Sequence, residues 1–149
     1  MATATTDIVI GPWGGEGGDT PWIFKPEGRI VDISIRSGEA VDSISFNYTD
    51  KEGLEDNSEI YGGDGGLLHA FALSEGENII GISGTIGKVS NNTVITSLSF
   101  KTDIESYGPY GMEEGATFSV PVIKGRIVGF HGKHGALLDS IGVILSPAE

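Results

Sequence analysis

Two stretches of this chain place an aspartate four residues after a glycine: Gly38-Glu39-Ala40-Val41-Asp42 and Gly135-Ala136-Leu137-Leu138-Asp139. In a hairpin loop the glycine lets the backbone turn through positive φ and present successive N–H groups outward. An aspartate at the far end adds two acceptor oxygens beside those donors. Donors and acceptors converging on a small shallow pocket suit a neutral polyol. A sugar, whose vicinal hydroxyls each donate and accept, matches that arrangement. Taken once, the same G-x-x-x-D spacing is equally the mark of an aspartate that stabilises its own hairpin as an Asx turn. Three glycine-rich segments accompany the pair: GPWGGEGG from Gly11, YGGDGG from Tyr61 and YGPYGMEEG from Tyr107. A loop without side chains lets a ligand approach its backbone closely.

Other chemistries find little support. His131 and His134 lie three apart and His69 is remote, too few ligands for a metal site; His131 and His134 are expected to rim the loop, with His134 beside Gly135. No G-x-S-x-G, HExxH or phosphate loop occurs. A glycosidase needs two carboxyls about 5–10 Å apart around one sugar, whereas each motif supplies one aspartate. No cofactor or metal is expected. Trp13 is expected to cover an end of the fold and Trp22 to pack between sheets.

The chain has 149 residues, about one domain's worth. Nine basic against 21 acidic residues give a net charge of -12, which repels phosphate backbones and anionic lipid and argues against nucleic-acid or membrane partners. Cysteine is absent, which excludes disulfides and thiolate chemistry. Met1 to Ile10 is polar and threonine-rich, so residues 1–6 are expected as a flexible extension. With no apolar leader in view, the expected location is cytoplasmic, with access to the nucleus. There the sequons at Asn47 and Asn91 would stay idle.

The elements that must hold these loops are strands. Val31, Ile33 and Ile35 alternate with Asp32, Ser34 and Arg36; Ile44, Phe46 and Tyr48 alternate with Ser45 and Asn47; Ile80, Ile82 and Ile86 follow the same pattern. Leu67 to Ser74 is bracketed by glycines at strand length. The 24 glycines, about twice the usual share of roughly 7%, mark turns between short strands. The class is all-β.

The pattern also repeats. RIVDISIRSG from Arg29, NIIGISGTIG from Asn78 and RIVGFHGKHG from Arg126 start 49 and 48 residues apart. The glycine-rich segments alternate with them, Trp13 to Tyr61 spanning 48 residues and Tyr61 to Tyr107 spanning 46. Three four-strand units, each with one apolar face, bury those faces around a common axis. The middle copy has no carboxylate at the motif position. Counting from its start selects Asn91, counting from the aromatic Phe100 selects Thr96, and the second count gives its hairpin about five extra residues.

GPWGGEGG, YGGDGG, YGPYG and GKHGALLDSIGV together resemble the jacalin-related lectins, over about Asp7 to Leu145. The resemblance implies a β-prism I of three four-stranded Greek-key sheets with pseudo-threefold symmetry, formed by residues 1–149 as one domain. It also implies binding without catalysis. It implies a first carbohydrate site in which Asp139 accepts from two sugar hydroxyls, Ala136 and Leu137 donate backbone N–H groups, and Gly18 donates from across the pocket. It implies a second site built from Asp42, the amides of Glu39 and Ala40, and Gly66. The Tyr107 segment, reading GMEEG, makes no third site. GPWGG is continuous with the residues before it, as in the single-chain, mannose-specific branch found in plants, so mannose/glucose-type glycans are the expected partners. A protein-interaction module with vestigial sugar binding is the competing reading, and assembly as a homodimer or larger oligomer is expected.

Overall fold

The computed structural model describes residues 6–147; of the expected extension, residues 1–5 lie outside the described residues. Among the described residues there is no helix. Thirteen strands run in order: β1 (Ile8–Gly14), β2 (Thr20–Phe24), β3 (Ile30–Ser37), β4 (Val41–Thr49), β5 (Glu55–Asn57), β6 (Tyr61–Gly62), β7 (Leu67–Ala72), β8 (Ile79–Val89), β9 (Asn92–Thr102), β10 (Ser106–Gly111), β11 (Ala116–Pro121), β12 (Arg126–His134) and β13 (Leu138–Ser146).

All pairing is antiparallel, and it falls into three Greek-key units around hairpins β3–β4, β8–β9 and β12–β13. Their strand orders are β7-β3-β4-β5/β6, β11-β8-β9-β10 and β2-β12-β13-β1. The last unit is completed by strands from both ends of the chain. A single residue pair, Ile127 with Ile79, joins the second and third units into one continuous sheet.

The outer strand of the first unit is broken, giving thirteen strands where twelve were expected. Ser58 bridges the gap: its amide donates to the Phe46 carbonyl and its Oγ accepts from the Phe46 amide, each at 2.8 Å. The backbone groups of Phe46 are thereby satisfied while Glu59 and Ile60 loop outward.

The simple alternation read from the sequence fails at two recurring places, one near each hairpin's start and one toward its loop, between Arg36 and Ser37, Thr85 and Ile86, and Lys133 and His134. Each hairpin carries a bulge near its start, between Ile30 and Asp32, Ile79 and Gly81, and Ile127 and Gly129. An extra residue shifts the two-residue phase. Ile30, Ile79 and Ile127 therefore face the core together with Ile33, Ile82 and Phe130, and Val31, Ile80 and Val128 are only half-buried.

The inward faces share one core. Phe46 stacks between Phe24, 4.3 Å away, and Phe130, 5.5 Å away, and Phe130 meets Phe100 edge-on. The end of the prism where the hairpins begin holds a buried carboxylate. Glu77 Oε1 accepts from the Ser74 amide at 2.8 Å, while Oε2 accepts from the Thr102 hydroxyl at 2.5 Å and the Tyr107 hydroxyl at 2.7 Å. Burial by itself raises its carboxyl, but these bonds outweigh that and hold it below the ordinary range. Burial and the bond to Glu77 push the Tyr107 hydroxyl up to about 12.

Candidate functional site

The other end carries the hairpin and glycine loops. Asp42 and Asp139 are the second residues of β4 and β13, and each is the residue skipped where the register shifts beside its hairpin loop, between Val41 and Ser43 and between Leu138 and Ser140. The Asp139 carbonyl accepts from the Gly15 amide and the Asp42 carbonyl from the Gly63 amide, both at 2.9 Å. Each bond fastens a glycine-rich loop beside the hairpin loop. The third copy repeats the bond at 3.0 Å, from the Met112 amide to the carbonyl of Thr96. Thr96, and not Asn91, is thus the counterpart of the two aspartates. The middle hairpin uses its extra length to extend β8 and β9, closing in a tight turn with Ser90 at φ 51° and Asn91 at φ 67°.

The two aspartate copies match closely. A Cβ on Gly18 would lie 2.7 Å from Asp139 Oδ1, and one on Gly66 would lie 2.7 Å from Asp42 Oδ1. A Cβ on Gly17 would come within 3.2 Å of Asp139 Oδ2, and one on Gly65 within 2.6 Å of Asp42 Oδ2. The carboxylate rests against the loop backbone itself, and glycine is demanded at Gly18 and Gly66, which stand at φ 81° and 70°. Across each carboxylate the hairpin loop is tied internally, Gly135 donating to the Leu137 carbonyl at 3.0 Å and Gly38 to that of Ala40 at 2.9 Å. Gly135 and Gly38 therefore shape the loops with amides already engaged. The amides of Ala136, Leu137, Glu39, Ala40, Gly18 and Gly66 enter no hydrogen bond among the described residues. Each site thus offers an anionic acceptor flanked by free backbone donors on two sides.

The electrostatics differ slightly. Burial raises the Asp139 carboxyl above the ordinary aspartate range, the Gly135 amide and His134 draw it back, and Asp19 adds to the rise. Burial raises Asp42 as well, against the pull of Arg36, whose guanidinium donates to the Gly66 carbonyl at 3.3 Å.

In the third copy the side chain at the aspartate position is engaged internally. The Thr96 hydroxyl donates to the Glu114 carbonyl and contacts the Thr85 hydroxyl, which in turn meets Ser97, each at 2.7 Å. Met112 and Glu114 stand where the other loops have Gly15/Gly63 and Gly17/Gly65.

His131 departs from expectation: it reaches the Ile10 carbonyl at 2.9 Å and ties β12 to β1, away from any loop rim. His134 does sit at the first site, its Nδ1 3.3 Å from the Gly135 carbonyl. Trp13, expected as an end cover, stacks on Phe118 at 5.9 Å between sheets, and Trp22 stacks on Tyr61 at 4.6 Å, between sheets as expected. Sequence reasoning matched Tyr61 with Tyr107, but the pairing register sets Trp13, Tyr61 and Tyr110 in equivalent places, opposite Ile141, Ile44 and Leu98. Among the described residues no group of three or more His, Cys, Asp and Glu is placed to hold a metal.

A prism of three Greek keys with paired aspartate–glycine loops at one end defines a lectin-type scaffold. The jacalin-like lectin domain family matches residues 10–144, and this chain belongs to that family. A mannose/glucose-specific lectin of Parkia platycephala is 39% identical over 148 residues, covering 94% of this chain and 32% of its own length. The chain thus spans about a third of that relative. Horcolin of Hordeum vulgare is 37% identical, covering 94% of this chain and 97% of its own length. The solved structure of Malaysian banana lectin superposes with a TM-score of 0.89 at 38% identity, covering 95% of this chain and 99% of its own. The Parkia and banana relatives are lectins, as is the family, and lectins bind carbohydrate without catalysis.

Proposed function

We propose that this protein binds mannose- and glucose-type glycans at two sites, one at Asp139 and one at Asp42. The observation that carries the proposal is the duplicated geometry of a carboxylate seated on a glycine backbone beside unengaged amides, lost in the third copy where Thr96 is engaged internally. At the first site Asp139 accepts from two vicinal hydroxyls while Ala136, Leu137 and Gly18 donate. At the second Asp42 accepts while Glu39, Ala40 and Gly66 donate. The specificity named for the Parkia relative supports the choice of sugar. So does the chemistry: an axial O4 would leave a carboxylate oxygen without its donor, at a cost of about 1–3 kcal/mol. A shallow site with a few hydrogen bonds gives millimolar affinity, about -4 kcal/mol. Titration calorimetry with methyl α-mannoside and methyl α-galactoside tests this; preference for galactoside overturns it.

The proposal includes self-association. Val9 on β1 and Ile23 on β2 are exposed on the two outer strands of one sheet, which suits pairing with a second copy and multiplies weak sites. Sedimentation showing only a 15.6 kDa species at tens of micromolar would remove that part. It also keeps the chain inside the cell with Asn47 and Asn91 unmodified, which the intact mass of protein from its natural source checks.

A further inference from the structure

The three units meet at three seams, and each seam is faced by an aromatic pair from equivalent positions. Trp13 of β1 stacks on Phe118 of β11, and Tyr61 of β6 stacks on Trp22 of β2. At the third seam Tyr110 of β10 meets the equivalent residue, His69 of β7, only obliquely, with ring centres 5.8 Å apart and planes tilted by 35°, and stacks instead on Phe71, 6.1 Å away. The residue beneath each ring explains the difference. Phe118 lies opposite Gly84, where a Cβ would come within 3.0 Å of its ring, and Trp22 lies opposite Gly132. His69 lies opposite Ile35, which is fully buried and occupies that space. The imidazole is left exposed, and a cleft of about 440 Å³ stays open between β7 and β10. That size falls within the roughly 300–1,000 Å³ of small-ligand sites.

Its position gives the cleft a use. One wall is Ser37 and Gly38, the start of the hairpin loop that carries Asp42; the other is Pro109 and Tyr110. The Asp42 site and the cleft therefore share Gly38. The cleft offers an aromatic face for the apolar side of a pyranose, an imidazole that can donate or accept, and exposed backbone.

We infer that the cleft between His69 and Tyr110 is a subsite for the sugar unit next to the one held at Asp42, so that the Asp42 site selects oligosaccharides and the Asp139 site does not. At the Asp139 site the equivalent space is closed by Trp22 on Tyr61. The inference rests on the proposed sugar binding at Asp42.

The test uses calorimetry with methyl α-mannoside and with the three common α-linked mannobioses. In an Asp139→Asn variant, where only the Asp42 site remains, at least one mannobiose is expected to bind about three- to tenfold tighter than the monosaccharide, the worth of one or two hydrogen bonds. That exceeds the roughly twofold statistical gain of offering two units to one site. In Asp42→Asn the gain is expected to stay near twofold. Adding His69→Phe to Asp139→Asn fills the cleft as Phe118 fills its seam, and should abolish the gain while leaving methyl α-mannoside affinity unchanged; His69→Ala should reduce it. A gain that survives His69→Phe, or no gain above twofold with any mannobiose, overturns the subsite. Loss of monosaccharide binding in Asp139→Asn itself would instead refute the Asp42 site, and the subsite with it.

Discussion

The Thr96 hydroxyl donates to the Glu114 carbonyl across 2.7 Å, at the place where the other two copies hold a carboxylate against glycine. With Thr85 and Ser97 it forms a chain of three buried hydroxyls. Each can donate once, so Ser97 donates to Thr85, Thr85 to Thr96, and Thr96 to the backbone.

That chain makes the third copy structural. Thr96→Val should cost about 1–3 kcal/mol, because it strands the Glu114 carbonyl and the Thr85 hydroxyl. Sugar stoichiometry should not change. Thr96→Asp should create no third site, since Met112 and Glu114 still occupy the loop and the new carboxylate would face a carbonyl. Urea unfolding and titration of the same samples check both expectations.

Each aspartate should account for one site. Asp139→Asn and Asp42→Asn are each expected to lower the sugar stoichiometry from two to one, and the double variant to abolish binding. Stability at neutral pH should not fall. Burial raises both carboxyls in the folded chain, so their ionisation works against folding there. A melting temperature below the parent's would show that these side chains serve the fold.

Sugar affinity should weaken on acidification sooner than an ordinary aspartate would dictate. Hydroxyl donation needs the ionised carboxylate, so protons compete with sugar, and the free sites take up protons above the ordinary range of about 3.9. Calorimetry at falling pH should show the affinity halved at a pH above that value. Affinity constant down to the ordinary range would contradict the burial of these groups.

Glu77 and Tyr107 should govern the stability limits at both pH extremes. The folded carboxyl of Glu77 is depressed, so its contribution is present above about 4.3, its unfolded value, and is lost as pH falls through the folded one. The Tyr107 hydroxyl is raised, so its contribution is complete below about 10 and is lost as pH rises toward about 12. Glu77→Gln should flatten both limbs of a melting-temperature profile, since it removes the acid-side group and the anion beside Tyr107.

Much of this was legible in the chain. The repeat from Arg29, Asn78 and Arg126 located the three hairpins, and the spacing from Gly38 to Asp42 and from Gly135 to Asp139 marked the carboxylates that meet the glycine loops. The bulges were not legible, because one extra residue in Arg29-Ile30-Val31 leaves the letters apolar and changes only which of them turns inward. Nor was the break between β5 and β6, which depends on a single hydroxyl at Ser58. The seams were hidden for another reason. Trp22, His69 and Phe118 share no residue type, and only the register opposite Gly132, Ile35 and Gly84 makes them equivalent.

The pairing of β1 with β13 has a consequence for the covalent path. Ile8 lies opposite Leu145, and β1 runs beside β13 to Gly14. The first and last described strands therefore lie side by side in one sheet. A short linker between them, with a new opening at the exposed turn Ser90-Asn91, would rotate the order in which the three keys are synthesised and leave every strand its neighbours.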